Sequence, residues 1–514
     1  MRNPVFLLAM AAGLIAFVVQ SGDVDSADTA RRLQTTHSFW TSAPPVLPGD
    51  YPEFGLRGRG GKIYAWYGVG QSLLMLPADM VGTALEKLPS FAEYNGNDPS
   101  VRNIGVSYST NILLNVLSAL VCFRFLTLLK FTMQEAVAGV LALLVCTTHL
   151  HYTQNMMENN YILFLTLAGF TYQYEWLLTG ARRALVIGSL AFGLNLLTRL
   201  TVAMDVFAGG MFLLLLLALR REGGKAIWMR LREYVGIALP IYAVFLLIDR
   251  IYQYYRFGSF LNTYVTVFAQ QQRMLNPSLP ANYPFETPFH IGFLGALFAP
   301  EKSIFLFDPL LILTVLIAVA GWKRFAPEIK AFLVSGFFLL LIHVSFYARY
   351  TVWSGDSAWG DRYVASAAQF VAFISVPLLL RHREQLGRVL WRLGVGLVAV
   401  SLAVQVASVA FWLSLELYQM TTLGHPTFVV WLRFKNIVAF ALGKMDAWGL
   451  TNDDMTTDPW DYVHITTWNF LPFVLRRVGE APHWVVRIAF AVWIAGLGML
   501  AWVLRKLQKT VVSL

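Results

Sequence analysis

The sequence predicts an all-α integral membrane protein, a polytopic helical bundle of about twelve transmembrane spans with further helices in its outer loops. Three observations carry this. Of the 514 residues, 57% are hydrophobic and only 14% charged, with a mean hydropathy of +0.55; soluble domains carry about 25% charged residues. Apolar runs of span length recur along the chain, and the short turns between them alternate between basic and neutral or acidic. The formal charge of +10 is largely explained by those basic turns, which orient membrane helices, so a nucleic-acid partner is rejected.

The first span is Pro4–Val19, short and preceded by Arg2, and it reads as an uncleaved segment with its N-terminus in the cytoplasm. Residues 20–104 then lie outside, and Gly70–Leu88, interrupted by Pro77 and Asp79, reads as a helix lying in the interface. Spans follow at Gly105–Leu129, Glu135–Leu150 and Tyr161–Leu178, the last ending at the inner pair Arg182 and Arg183. A hairpin, Ala184–Leu197 and Val202–Leu219, has Arg199 at its outer tip and leads to the most basic turn, Arg220 to Arg232. Val235–Ile251 runs outward to a long loop, 252–303, and Ile304–Trp322 returns to Lys323 and Arg324. Ile329–Tyr347 and Val364–Leu380 flank the outer loop RYTVWSGDSAWGDRY. Leu393–Leu413 opens a large outer segment, 414–484, and Trp484–Leu504 ends inside at Arg505, Lys506 and Lys509. Residues 1–413 thus form the transmembrane catalytic module, 414–484 a large periplasmic segment, and 485–514 the last span and cytoplasmic tail.

Cys122 and Cys146 fall in apolar runs and read as buried thiols, with no disulfide framework and no metal site. Ionisable residues in the spans are functional candidates, and here Asp205, Asp249, Arg250, Asp308 and His343 all sit toward outer ends. That points to one wet cavity at the outer face. An ion-coupled transporter would instead place charge at the midplane between broken helices.

Asp23, Asp25 and Asp28 follow the first span directly. Residues 25–36 can form a helix, with Asp25 as N-cap, Asp28 in the reciprocal capping position, and Asp28 also four residues before Arg32. Asp23 has no such structural use, and a carboxylate at a membrane edge suits general-base work on a hydroxyl. Lys302, Arg362 and Arg199, each at an outer span boundary, suit a lipid phosphate; their competing use is to snorkel to phospholipid headgroups. His149 and His151 with Glu158 do not share one helix face, which argues against a metal there. Asp453, Asp454, Asp458 and Asp461 read as a solvated turn, while Trp448, Trp460, Tyr462 and Trp468 could stack on sugar rings or belong to the interface. No glycine-rich nucleotide loop occurs.

The acidic loop and helix after the first span, with the stretches GGKIYAWYGVGQSLLMLPADMVG, GFLGALFAPEKSIFLFDPLLIL and WSGDSAWGDRYVAS, resemble the GT-C superfamily of polytopic glycosyltransferases. The similarity lies with its bacterial protein mannosyltransferase, aminoarabinose transferase and lipopolysaccharide-core glycosyltransferase group, and runs along essentially the whole chain. It implies an inverting transfer from a polyprenyl-phosphate sugar to a glycan, lipid or protein acceptor at the outer face of the plasma membrane, without a cofactor. The catalytic acid of that group falls on Asp23. Many relatives pair adjacent acids and this chain does not, so Asp25 and Asp28 stand as alternatives for a second one. The resemblance assigns Lys302, Arg362 and Arg199 to the donor phosphate. It assigns Tyr64, Trp66, Trp359, Asp361 and Glu158 to the sugar or acceptor. A lipid or glycan transporter and a lipid-diphosphate-dependent polymer ligase are the competing readings; the first would show inverted repeats and the second would not need an acid straight after the first span.

Overall fold

The computed structural model describes residues 3–24, 26–47, 55–91, 94, 99–445, 463, 465–479 and 481–512. Within them the chain is almost wholly helical, with one two-stranded antiparallel hairpin, β1 (Gly55–Arg57) and β2 (Ile63–Ala65). The helices run in order α1 (Pro4–Val19), α2 (Ala27–Ser38), α3 (Gly70–Glu86), α4 (Val101–Leu128), α5 (Met133–Cys146), α6 (His149–Asn155), α7 (Asn159–Thr179) and α8 (Arg182–Leu196). The middle of the chain gives α9 (Ala203–Leu219), α10 (Gly224–Phe257), α11 (Tyr264–Leu275), α12 (Phe289–Phe298), α13 (Ile304–Phe307) and α14 (Leu310–Gly321). Then come α15 (Pro327–Tyr347), α16 (Ala365–Ala372), α17 (Ser375–Arg381), α18 (Gly387–Ser408), α19 (Ser414–Thr421), α20 (Val429–Ala441), α21 (Leu471–Arg477) and α22 (His483–Val512).

Among the described residues, six helices are long and apolar enough to cross a membrane: α4, α9 with the short turn before it, α10, α15, α18 and α22. The pair α5 and α6, bent by 53°, makes a seventh if counted as one crossing. The other expected spans are helices too: α7 has 21 residues, α1, α8 and α14 are shorter, and the stretch of α16 and α17 is interrupted between them.

The interior is one continuous apolar core running through α1, α4, α5, α7, α8, α9 and α14 to α17. The perimeter is inverted relative to a soluble protein. Only 6% of the apolar window of α22 and 17% of that of α10 is buried, and Trp228, Leu239, Leu247, Ile488 and Ile494 stand exposed. So large an exposed apolar surface marks a membrane interface.

Two buried ionic sets fix the loops at one end of the bundle. Asp79, fully enclosed, accepts from Arg102 Nε at 2.5 Å and Trp40 Nε1 at 2.8 Å, with His37 Nδ1 at 3.0 Å. It was expected to interrupt an interfacial helix. Instead α3 runs through it, and the charge is paid back by partners on α2 and α4. In the second set, Arg433 and Glu416 pair bidentately at 2.6 and 2.7 Å with neither side chain exposed, and Arg433 also donates to the carbonyls of Ser408 and Phe411. This ties α19 and α20 to the end of α18. Of the aromatic residues expected to stack on sugars in 414–484, Trp468 packs on Phe411 at 4.6 Å; Trp448, Trp460 and Tyr462, and the acids 453–461, lie outside the described residues.

Glu416→Ala leaves the Arg433 guanidinium uncompensated in a fully buried site. It is expected to cost about 3–5 kcal/mol, read as a lowered unfolding temperature of the purified protein, with Arg433→Met in the same background recovering part of the loss.

Candidate functional site

The outer loops expected from the sequence converge on one cavity of about 380 Å³. Its wall is drawn from the start of α2, the exit of β2, the α6–α7 turn, the end of α8, α11, and the loop between α15 and α16. The basic turns at Arg182, Arg220, Lys323 and Arg381 lie at the far ends of the same helices, about 30 Å away along α7 at 1.5 Å per residue.

Helix α2 begins at Ser26, whose Oγ accepts from Thr29 N at 3.1 Å. The expected cap, Asp25, lies outside the described residues. With Ser26 as N-cap, Asp28 is the second helical residue rather than the third, so the expected reciprocal box does not form. Nor does its expected pair with Arg32. Asp28 instead accepts from the Tyr67 hydroxyl on Oδ1 and pairs with Arg362 through Oδ2. Of the structural uses that seemed to account for Asp28, its place in the first turn of α2 remains, and its carboxylate lines the cavity.

Arg32, one turn on, pairs with Glu158 and lies over the Tyr67 ring, 3.9 Å from the centroid. Glu158 also pairs with Arg199 and is 1% exposed. Burial works against its charge, but Arg199, Arg32 and Arg362 outweigh that and hold the carboxyl at about 2. Tyr363 completes the set: Arg199 and Arg362 each lie 5.3 Å from its ring centroid, and the ring stacks on Tyr347 at 4.4 Å and 9°. Across the cavity Trp66 stacks on Phe268 at 4.9 Å, and Phe268 lies 5.7 Å from Tyr283. Burial pushes the Tyr67 phenol well up, and the charge of Asp28 adds to it, so Tyr67 is a donor. Two buried guanidinium nitrogens, Arg32 Nη1 and Arg362 Nε, have no hydrogen-bond partner among the described residues. Orphaned charged donors beside a cavity suit an anion.

Backbone contacts set this geometry. A Cβ on Gly68 would sit 2.2 Å from the Leu197 carbonyl oxygen and 2.4 Å from that of Thr198, so only glycine lets the AWYGVG segment lie against the end of α8, with Tyr67 on the cavity wall that Arg199 also lines. Arg256 Nη1 holds the same segment from the other side, donating to the carbonyls of Ala65 and Tyr67 at 2.6 and 2.9 Å. Asn159 Nδ2 donates to the Arg362 carbonyl at 2.6 Å.

The expected site residues divide. Asp28, Glu158, Arg199, Arg362 and Trp66 all line the cavity. Asp23, Lys302, Tyr64, Trp359 and Asp361 do not. Asp23 lies before the cap, its Oδ1 accepting from Val24 N at 2.6 Å. Lys302 Nζ is enclosed by the carbonyls of Asp356, Ala358 and Gly360 at 2.5, 2.9 and 3.3 Å; desolvation pulls its charge down and pushes the nearby Asp361 carboxyl up. Lys302 therefore shapes the 356–360 loop that carries Arg362. Trp359 is fully buried against His151 and Phe307, and Tyr64 packs on Tyr255 and Phe257. Arg32, Tyr67, Tyr347 and Tyr363 were not singled out from the sequence. Arg32 was legible only as a helix-face partner, while Tyr67 and Tyr363 stood unweighed inside the stretches already quoted.

No family model matches the chain, and no curated protein matches it. Among solved structures it is similar to the crystal structure of ArnT from Cupriavidus metallidurans bound to undecaprenyl phosphate, with a TM-score of 0.44 and 13% sequence identity, over 99% of this chain and 77% of that one. A likeness of that degree decides nothing about the chemistry.

Because the Glu158 carboxyl is depressed from 4.5 to about 2, its pairing stabilises the fold above the unfolded value and is lost as pH falls toward 2. Unfolding temperature measured between pH 6 and pH 2.5 is expected to fall more in the wild type than in Glu158→Gln, which starts lower.

Proposed function

We propose that this protein is an inverting glycosyltransferase that moves a sugar from a polyprenyl-phosphate donor to an acceptor hydroxyl at the outer face of the plasma membrane. The observation that carries this reading is the charge set of the cavity. Arg32, Arg199 and Arg362 line it with Asp28, Glu158 and Asp356, and Arg32 Nη1 and Arg362 Nε have no hydrogen-bond partner among the described residues, so donors for an anion stand beside carboxylates. The cavity lies at one end of a bundle with lipid-facing sides, where a donor can keep its chain in the bilayer and its headgroup in a polar pocket. The basic turns at the opposite end are cytoplasmic by the distribution of Lys and Arg. In this reading the shorter apolar helices complete about twelve membrane passages, with both termini inside.

The acid moves from the residue first favoured, Asp23, to Asp28, the carboxylate on the cavity wall. Asp28 takes the proton of the acceptor hydroxyl as that oxygen attacks the anomeric carbon from the face opposite the phosphate. The bond between the anomeric carbon and the phosphate oxygen breaks, its electron pair leaves on the lipid phosphate, and the arginines stabilise the developing charge. The walls formed by Trp66 with Phe268 and by Tyr363 with Tyr347 suit the faces of a sugar ring.

Asp28→Asn is expected to lower transfer by about a hundredfold or more while the protein stays folded, and Asp23→Asn to retain most activity. Transfer of radiolabelled sugar from synthetic polyprenyl-phosphate and polyprenyl-diphosphate mannose, glucose and arabinose to isolated cell-envelope lipids and glycans measures both. Preference for the diphosphate series favours the lipid-diphosphate-dependent ligase instead, and full activity of Asp28→Asn removes the base.

A further inference from the structure

The residue lying between the acid and the arginines has no part in the chemistry above. The Tyr67 hydroxyl donates to Oδ1 of Asp28, leaving Oδ2 to Arg362. Its ring supports the Arg32 guanidinium at 3.9 Å. Its backbone is gripped on both sides, by Arg256 on its own carbonyl and by the contact of Gly68 with the end of α8. The charged groups of the cavity that holds Asp28 come from several elements: Arg362 and Asp356 from the loop before α16, Arg32 from α2 itself, Glu158 from the α6–α7 turn, and Arg199 from the end of α8 behind Glu158. Of the two direct partners of Asp28, only Arg362 carries a charge that a phosphate can draw away, and it already has one unoccupied donor in Nε.

We infer that Tyr67 is a positioning residue for the transfer step: it retains Asp28 Oδ1 when the donor phosphate takes Arg362 from Oδ2, so that Oδ2 is the oxygen freed to receive the acceptor proton. The inference rests on the reading of Asp28 as the base. The exchange balances without a further reactant. Arg362 moves from one anion to another, the proton of the acceptor hydroxyl ends on Oδ2, and Tyr67 keeps its own proton throughout. Asp28 returns its proton to water once the products leave. A hydrogen bond to a carboxylate favours the charged form and fixes its orientation toward the hydroxyl. Tyr67 thereby separates two duties, its ring serving the phosphate-binding cation and its hydroxyl serving the base.

Tyr67→Phe keeps the ring beneath Arg32 and removes only the hydroxyl. With the full-length protein in lipid nanodiscs, binding of sugar-free polyprenyl phosphate is expected to stay within about twofold of wild type, because the guanidinium keeps its support. In the transfer assay with whichever of the polyprenyl-phosphate mannose, glucose or arabinose donors the wild type uses, kcat is expected to drop about tenfold or more. The acid limb of the kcat profile should move to higher pH, since a carboxylate that has lost a donor needs higher pH to ionise. Tyr67→Ala should additionally weaken polyprenyl-phosphate binding. Wild-type kcat and an unmoved acid limb in Tyr67→Phe overturn the inference. So does an equal loss of binding and kcat without a pH shift, which marks a packing role. Asp28→Asn, assayed alongside, separates the two levels: if it transfers sugar at the wild-type rate, the base reading itself has failed, whereas an inactive Asp28→Asn with an unaffected Tyr67→Phe removes Tyr67 alone.

Discussion

Glu158 is held by two guanidiniums that arrive from different parts of the chain, Arg32 on α2 and Arg199 at the end of α8. A carboxylate 1% exposed is tolerated only when paired, so each partner is needed for the other two to stay where they are. The consequence reaches beyond the trio. Arg32 is the lid of Tyr67, Tyr67 holds Asp28, and Asp28 holds Arg362. One buried acid thus begins a chain of contacts that reaches Arg32, Arg199, Asp28 and Arg362, at one end of a bundle whose long helices expose apolar faces.

The surroundings are arranged so that this charge set has little freedom. Asp79 fastens α2 to α3 and α4, Lys302 gathers the carbonyls of the loop that ends in Arg362, and the Arg433–Glu416 pair secures the segment beyond α18. Each is a buried ion satisfied by partners from separate elements. Buried ions of this kind add little net stability compared with apolar packing, but they dictate which backbone segments meet. In a protein whose outer face is exposed to lipid, where apolar packing is non-directional, that directional information has particular value.

The class of the fold was legible from composition and from the alternation of basic and neutral turns, because hydropathy reports directly on the solvent a helix faces. The lengths of its helices were not, since α1, α14 and the α16–α17 pair are as apolar as the long candidate spans while being short. Within the candidate site, the sequence pointed to loops that meet at the cavity but ranked their residues by local logic. Asp28 appeared to be explained by capping and by Arg32; the cap at Ser26 removes the capping box, and Arg362 and Glu158 take the two partners of the expected pair. Lys302 looked like a phosphate ligand because it is a cation at a span boundary, and nothing local reveals that three carbonyls enclose it. Tyr67 and Arg32 meet partners far away in sequence, Asp28 and Glu158, which pattern reading along one stretch of chain does not connect.

Gly68 bears on how such a cavity can diverge. Its missing side chain lets two stretches of main chain touch, so the separation between the β2 exit and the end of α8 is set by backbone atoms. The frame and its furnishing are therefore separate variables. Exchanges among Trp66, Phe268, Tyr283 and Tyr347 alter what the walls offer a ligand while the span between the walls stays the same, so new specificities can be explored without rebuilding the scaffold.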